Sequence, residues 1–212
     1  MLSATDNAYL NSSEPDTPMG NYLRCHWHPV ALSEEVAKPD CAPIRLKVMG
    51  EDLLLFRDSK GKTGLIEPFC AHRGADLFFG RNEECGIRCI YHGWKYDIHG
   101  NCIDMPNVPK DAAYHGKIKI KAYPTQEFAD MVWAYMGPPD IQPFEVPQLE
   151  AGLVPPSHRY VTKRLVECNW THSMEGALDT AHFSFLHMPA PAFRKDDSSN
   201  IAADESRIRW LR

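Results

Sequence analysis

The sequence predicts an α+β protein, with an antiparallel, β-rich domain followed by the beginning of a second, mixed domain. Three observations carry that expectation. From residue 44 onward, short alternating or continuous apolar runs are separated by turn residues. Six prolines then fall within residues 138–156, too many for a core element. Beyond them, CNWTHSMEGALDTAHFSFLH holds the longest plausible helix.

The elements follow in chain order. Residues 1–20 form an N-terminal segment with neither a basic flank nor an apolar run, so no signal peptide or membrane span is expected there. IRLKVMG alternates, DLLLFRD is a short apolar run, and SKGK is a turn leading into GLIEPF. WKYDIHGNCIDM reads as a hairpin turning at HGN. KIKIKAY alternates, which directs Ile118, Ile120 and Ala122 to a core and Lys117, Lys119 and Lys121 to solvent. MVWAYMG and RYVTKRLVE are further strands, and RKDDSSNIAADESR is a polar loop. The expected organisation is therefore residues 1–20, a β domain at 21–140, a connector at 141–156, and a second domain beginning at 157–212.

Composition excludes several classes. The 212 residues are 43% hydrophobic and 24% charged, ordinary for a packed domain. A net charge of −5 offers no footprint for nucleic acid or an anionic membrane. Seven cysteines is an odd number, spread from Cys25 to Cys168, which argues against a disulfide framework and for a reducing, cytoplasmic setting.

Four residues carry the first chemical signal. Cys70 and His72 form C-x-H, and after sixteen intervening residues Cys89 and His92 form C-x-x-H. A zinc finger pairs cysteine with cysteine and histidine with histidine. Here each half supplies one thiolate and one imidazole, which suits a two-iron cluster with cysteines on one iron and histidines on the other. A zinc ribbon, or cysteines and histidines merely scattered in a core, are the competing readings. Gly74 and Gly93 stand where backbone would approach the cluster, and Trp94 would shield it. Cys85 falls outside the spacing and is left out of the set.

The second signal is EGALDTAHFSFLH. Asp179 and His182 are three apart and would share a helical face. His182 and His187 are five apart, about 140° on a regular helix, so they could share a metal only if the helix ended or bulged between them. Pro189 suggests such an ending. Two histidines with a carboxylate is an arrangement of non-haem Fe(II) oxygenases, although histidines satisfying a core would explain this segment alone.

With both motifs in one chain, the sequence resembles the Rieske non-haem iron aromatic ring-hydroxylating oxygenases, catalytic subunit, phthalate dioxygenase type. C-x-H-x16-C-x-x-H is the Rieske motif, and Glu175, Asp179, His182 and His187 match E/D-x3-D-x2-H-x4-H. PMGNYLRCHWHPVALSEEV and GEDLLLFRD add to the likeness, which covers essentially the whole chain. The resemblance implies a [2Fe–2S] Rieske cluster on Cys70, His72, Cys89 and His92, and a mononuclear Fe(II) on His182 and His187. It gives Asp179 a catalytic role, bridging towards a neighbouring subunit's Rieske site, most plausibly at His92. It further implies O₂ and an aromatic, carboxylate-bearing substrate, a separate flavin and iron–sulfur reductase drawing on NAD(P)H, and a homotrimer or stacked trimers. Either dihydroxylation or oxidative O-demethylation fits. The family completes its iron site with a carboxylate far downstream, and Asp196, Asp197, Asp204 and Glu205 match no family position. These residues are thus expected to be the N-terminal part of a longer subunit. A Rieske ferredoxin, carrying electrons without chemistry of its own, explains residues 44–135 equally well but not Asp179, His182 and His187. A zinc-binding interaction module is the third reading.

Overall fold

The computed structural model describes residues 2–109, 114–138, 145–182 and 186–187. The chain divides into two compact units, Met1–Arg164 and Leu165–Arg212.

The first unit contains eleven described strands in chain order: β1 (Trp27–Leu32), β2 (Ile44–Val48), β3 (Glu51–Arg57), β4 (Thr63–Ile66), β5 (Arg81–Glu83), β6 (Gly86–Arg88), β7 (Lys95–Tyr96), β8 (Cys102–Asp104), β9 (Ala122–Tyr123), β10 (Thr125–Phe128) and β11 (Met131–Tyr135). They form three antiparallel sheets, ordered β1-β11-β10, β2-β3-β4-β9 and β5-β6-β7-β8.

β3 explains why DLLLFRD is continuously apolar. Successive side chains point to opposite faces of a strand. Leu54 and Phe56 enter one core with Ile66, Ile87, Tyr96, Cys70 and Cys89, whereas Leu53 and Leu55 enter another with Val30, Val36, Leu65 and Val132. A strand buried on both faces has no polar positions to alternate with. The third sheet packs into the first of these cores, and that is where the metal-ligand candidates lie.

The hairpin expected at WKYDIHGNCIDM is present as β7–β8, turning through Gly100 at φ +79°. KIKIKAY keeps its predicted facing: Ile120 is buried, Ile118 and Ala122 pack on the same core, and the three lysines are exposed. Its regular strand is nevertheless confined to Ala122–Tyr123, because His115–Lys117 form a 3-10 turn and Lys119 makes an isolated bridge to Asn101.

RYVTKRLVE is a correction, since no strand forms there. The segment has strand-like residues but no partner strand among those described, and Tyr160 is 91% exposed. Residues 159–164 are tied to the first unit by polar contacts instead. Arg159 pairs with Asp130 and donates to the carbonyls of Gly152 and Val154, and Lys163 pairs with Glu35. Val146 is buried beside Trp27, Trp133 and Tyr135. The first compact unit runs to Arg164.

Two N-terminal helices, α1 (Ala4–Asn11) and α2 (Pro18–Arg24), escaped the sequence reading. Ser3 and Thr17 cap them. Arg24 is buried and fixes this arm by donating to the carbonyls of Ser13, Gly20 and Met49 and to Glu51. A short helix, α3 (Glu150–Leu153), completes the first unit.

In the second unit, α4 (Trp170–Leu178) starts at Asn169, whose side chain accepts the Thr171 N–H. The expected helix runs no further. Asp179 has φ −75° and ψ 111°, an extended backbone that ends the helix before either histidine. Pro189, Asp196, Asp197, Asp204 and Glu205 lie outside the described residues.

Candidate metal centre

Two loops of the first unit carry the four candidate ligands, and their backbones are copies of each other. In the first, between β4 and β5, the Cys70 N–H donates to Ala75 O at 2.9 Å and the Gly74 N–H to Cys70 O at 2.8 Å. In the second, between β6 and β7, the Cys89 N–H donates to Trp94 O at 2.8 Å and the Gly93 N–H to Cys89 O at 3.1 Å. Each loop thus closes over six residues with a left-handed glycine at its fifth position, Gly74 at φ +67° and Gly93 at φ +77°. Backbone conformation is what requires glycine here. Space is tight only at Gly93, where a Cβ would lie 2.5 Å from Cγ of Pro106, whereas Gly74 has open space.

The loops bring the predicted residues together. Cys70 and Cys89 are both buried. The rings of His72 and His92 stand 4.5 Å apart, centroid to centroid, at 67°. Trp94 lies flat on His72 at 4.6 Å and 11°, and its indole N–H is fixed by Asn107 at 2.8 Å. His92 rests against Tyr91 at 4.0 Å. The Tyr96 oxygen accepts the Ala71 N–H at 3.1 Å and lies 3.3 Å from Sγ of Cys70. With that N–H occupying a lone pair of the oxygen, its own hydrogen is available to the sulfur.

This donor set fits a two-iron cluster. Nδ1 of His72 is buried without a hydrogen-bond partner, a costly state for a ring nitrogen unless it ligates something. Burial, then His92 and Arg73, lowers the His72 pKa and favours the neutral imidazole that metals bind. Burial pushes the Cys70 thiol up, and Cys89 beside it adds to the effect, while bonds from Tyr96 and the His72 backbone pull it down. Two buried thiols side by side become thiolates when a cation shares their site. Among the described residues, no three His, Cys, Asp or Glu side chains group as one isolated ion would need. A [2Fe–2S] cluster asks only two protein ligands of each iron. All seven cysteines are free, so the disulfide reading fails. Cys85 sits in the β5–β6 turn at φ +62°, its N–H bonded to Ser59 Oγ.

In the second unit, Asp179 corrects the expectation of one shared helical face. Its Oδ1 accepts the Ala181 N–H at 2.9 Å, and the Leu186 N–H bonds to His182 O. Its Oδ2 lies 3.3 Å from Nδ1 of His182. The rings of His182 and His187 approach to 5.2 Å. The bond from the Ala181 N–H holds the Asp179 carboxyl below the usual range against desolvation, with His182 adding to the lowering. Glu175, matched only by position, is exposed on α4, its carbonyl accepting the Asp179 N–H.

Residues 20–124 match the Rieske [2Fe-2S] domain family. Over 189 residues the chain is 46% identical to the phthalate 4,5-dioxygenase oxygenase subunit of Pseudomonas putida, covering 88% of this chain and 42% of that protein. The chain carries a Rieske [2Fe-2S] domain and is homologous to Rieske oxygenase subunits. Another relative of this Rieske protein is the 5,5'-dehydrodivanillate O-demethylase oxygenase subunit of Sphingobium sp. (strain NBRC 103272 / SYK-6), 38% identical over 88% of this chain and 44% of the relative. The chain thus spans less than half the length of these curated relatives. Among solved structures, dicamba monooxygenase bound to dicamba aligns with a TM-score of 0.66 at 25% identity, covering 77% of this chain and 48% of that one. The oxygenase and ferredoxin complex of carbazole 1,9a-dioxygenase aligns at 0.58 and 31% identity, covering 76% and 41%. Among the described residues, no helix of this Rieske protein is long and apolar enough to cross a membrane.

Three residues around the site escaped the sequence reading: Tyr96, Asn107 and Arg88. Tyr96 was legible in part, because it shares strand parity with the shielding Trp94 and so faces the same core.

Proposed function

We propose that this chain works in the oxygenase component of an aromatic ring-hydroxylating system. The observation that carries the reading is one chain holding both the paired loops of Cys70, His72, Cys89 and His92 and the Asp179–His182–His187 set. In this reading, a [2Fe–2S] cluster on the first set supplies electrons singly, and a mononuclear Fe(II) on His182 and His187 supplies open positions for O₂ beside the substrate.

The chain's own residues then have definite tasks. Cys70 and Cys89 present thiolates from a buried pocket, and Tyr96 steadies the first by hydrogen bonding. Trp94 covers one face of His72 and keeps water from it. Asp179, fixed by the Ala181 N–H, orients the His182 ring and places a negative charge beside it. The relatives include oxygenase subunits of phthalate 4,5-dioxygenase and 3-chlorobenzoate-3,4-dioxygenase, which favours an aromatic carboxylate as substrate. The electron donor is a ferredoxin or a flavin and iron–sulfur reductase, the assembly is trimer-based, and the setting is cytoplasmic.

Asp179→Asn tests the reading in the complete enzyme. The amide keeps an acceptor for the Ala181 N–H and loses the charge. Both metal centres should stay occupied and the Rieske cluster should still be reduced by its donor, while turnover falls roughly 10- to 100-fold. Near-wild-type turnover would remove Asp179 from the reaction, and loss of mononuclear iron would make it a structural residue.

A further inference from the structure

We infer that Arg88 is a positioning residue for His92, acting through the carbonyl of Gly93. The inference rests on reading Cys70, His72, Cys89 and His92 as the cluster ligands, and it adds to them a residue that the ligand spacing does not contain.

Arg88 ends β6, immediately before Cys89, and its side chain is only 12% exposed. Nη1 donates to Gly93 O at 2.8 Å and to Oδ2 of Asp104 at 2.7 Å. Nε donates to Oε1 of Glu83 at 2.6 Å, and Glu84 lies 3.6 Å from Nη2. A planar guanidinium gripped by acidic side chains on separate nitrogens cannot swing, so its bond to Gly93 O is a fixed point.

That fixed point falls where the loop needs one. The two histidines are supported differently. His72 lies flat against Trp94, which is buried and bonded to Asn107. The ring of His92 meets Tyr91, which is 63% exposed, and the edge of His72. Its side-chain packing is therefore weak, and its position depends on the backbone. The peptide that follows it leads into Gly93, a residue with no side chain to anchor it and a left-handed φ of +77°. Its N–H is held by Cys89 O, and Arg88 anchors the next peptide, Gly93–Trp94, by the Gly93 carbonyl. The first loop is tied in another way, through the Ala71 N–H to Tyr96.

The test uses the chain with its cluster, and reads iron release to a chelator together with pulsed EPR of the histidine nitrogens. Arg88→Met should release iron about tenfold faster and broaden the coupling of one nitrogen while leaving the other sharp. Arg88→Lys keeps one charged donor for Gly93 O and should fall between Arg88→Met and wild type. The double variant Glu83→Gln/Asp104→Asn removes the ion pairs but keeps amide acceptors for the guanidinium, and should match wild type in both readouts. A double variant that reproduces the Arg88→Met effect would reduce Arg88 to a cross-link between β5 and β8 and overturn the inference. Equal broadening of both nitrogens, or unchanged couplings in Arg88→Met, would also overturn it. If Arg88→Met does not fold, Arg88→Lys decides: sharp couplings for both nitrogens there would end the argument. A wild-type chain without any cluster signal would instead overturn the ligand reading itself.

Discussion

The paired loops make one comparison unusually informative, because the same substitution at equivalent places should have unequal costs. Gly74 and Gly93 occupy the same position in two copies of one backbone, at φ +67° and +77°. Alanine at either must adopt the left-handed region, which costs roughly 1–2 kcal/mol. At Gly74 the new methyl meets nothing within 4 Å, so that conformational term is the whole effect. At Gly93 the methyl would arrive 2.5 Å from Cγ of Pro106, a clash that must be relieved by moving one of the two. Such overpacking adds about 1–3 kcal/mol, giving roughly 2–5 kcal/mol in total. For a unit of this size each kcal/mol lowers the melting temperature by about 2–4 °C. Gly74→Ala should therefore melt a few degrees low, and Gly93→Ala clearly lower still. Thermal unfolding of the cluster-loaded chain, followed by tryptophan fluorescence and by visible absorbance of the cluster, measures both. Adding Pro106→Ala should return part of the Gly93→Ala loss and none of the Gly74→Ala loss. Equal losses at the two glycines, or no rescue by Pro106→Ala, would refute the reasoning.

Other outcomes follow from individual contacts. Tyr96→Phe removes the hydroxyl at Cys70 Sγ; a hydrogen bond to a charged group is worth roughly 1.5–3 kcal/mol. If about half of that distinguishes the two oxidation states, the cluster potential should fall by about 50 mV. An unchanged spectroelectrochemical midpoint would deny the bond. The two-point bond from Arg57 holds the Glu127 carboxyl below the usual range, with burial opposing it. Because the folded value is the lower one, this stabilisation is complete above the unfolded pKa of about 4.3 and is lost as pH falls through the folded value. Glu127→Gln should thus lower the urea midpoint at neutral pH, with the difference shrinking in acid; a pH-independent difference would contradict the assignment. Cys85→Ser should leave iron and sulfide content intact, because Cys85 lies in the β5–β6 turn; loss of the cluster would mean the ligand set is wrong.

What the sequence disclosed, and what it hid, follows the range of the interactions involved. The four candidate ligands stood out because the chemistry imposes fixed spacing on each loop; β2 was legible from its alternation, and β3 and β4 from apolar runs that burial on both faces leaves unbroken. α1 was not, since none of its residues is buried and so it carries no apolar stripe. Its capping serine, and the Thr17–Pro18 pair that opens α2, were the available signals. RYVTKRLVE misled because a strand needs a partner as well as a composition. The end of α4 was hidden in Asp179, whose side chain competes for the backbone N–H of Ala181. Arg88, Tyr96 and Asn107 act through contacts 5, 26 and 13 residues away, which no local pattern records.

The central claim is that two thiolates and two imidazoles from the paired loops hold one two-iron cluster. Pulsed EPR on the reduced chain, grown with ¹⁵N-labelled histidine, tests it most directly. The account predicts a single [2Fe–2S] signal coupled strongly to two histidine nitrogens, falling to one in His92→Cys and to one in His72→Cys. A cluster signal without histidine coupling, or a chain that carries zinc and no cluster, would contradict it.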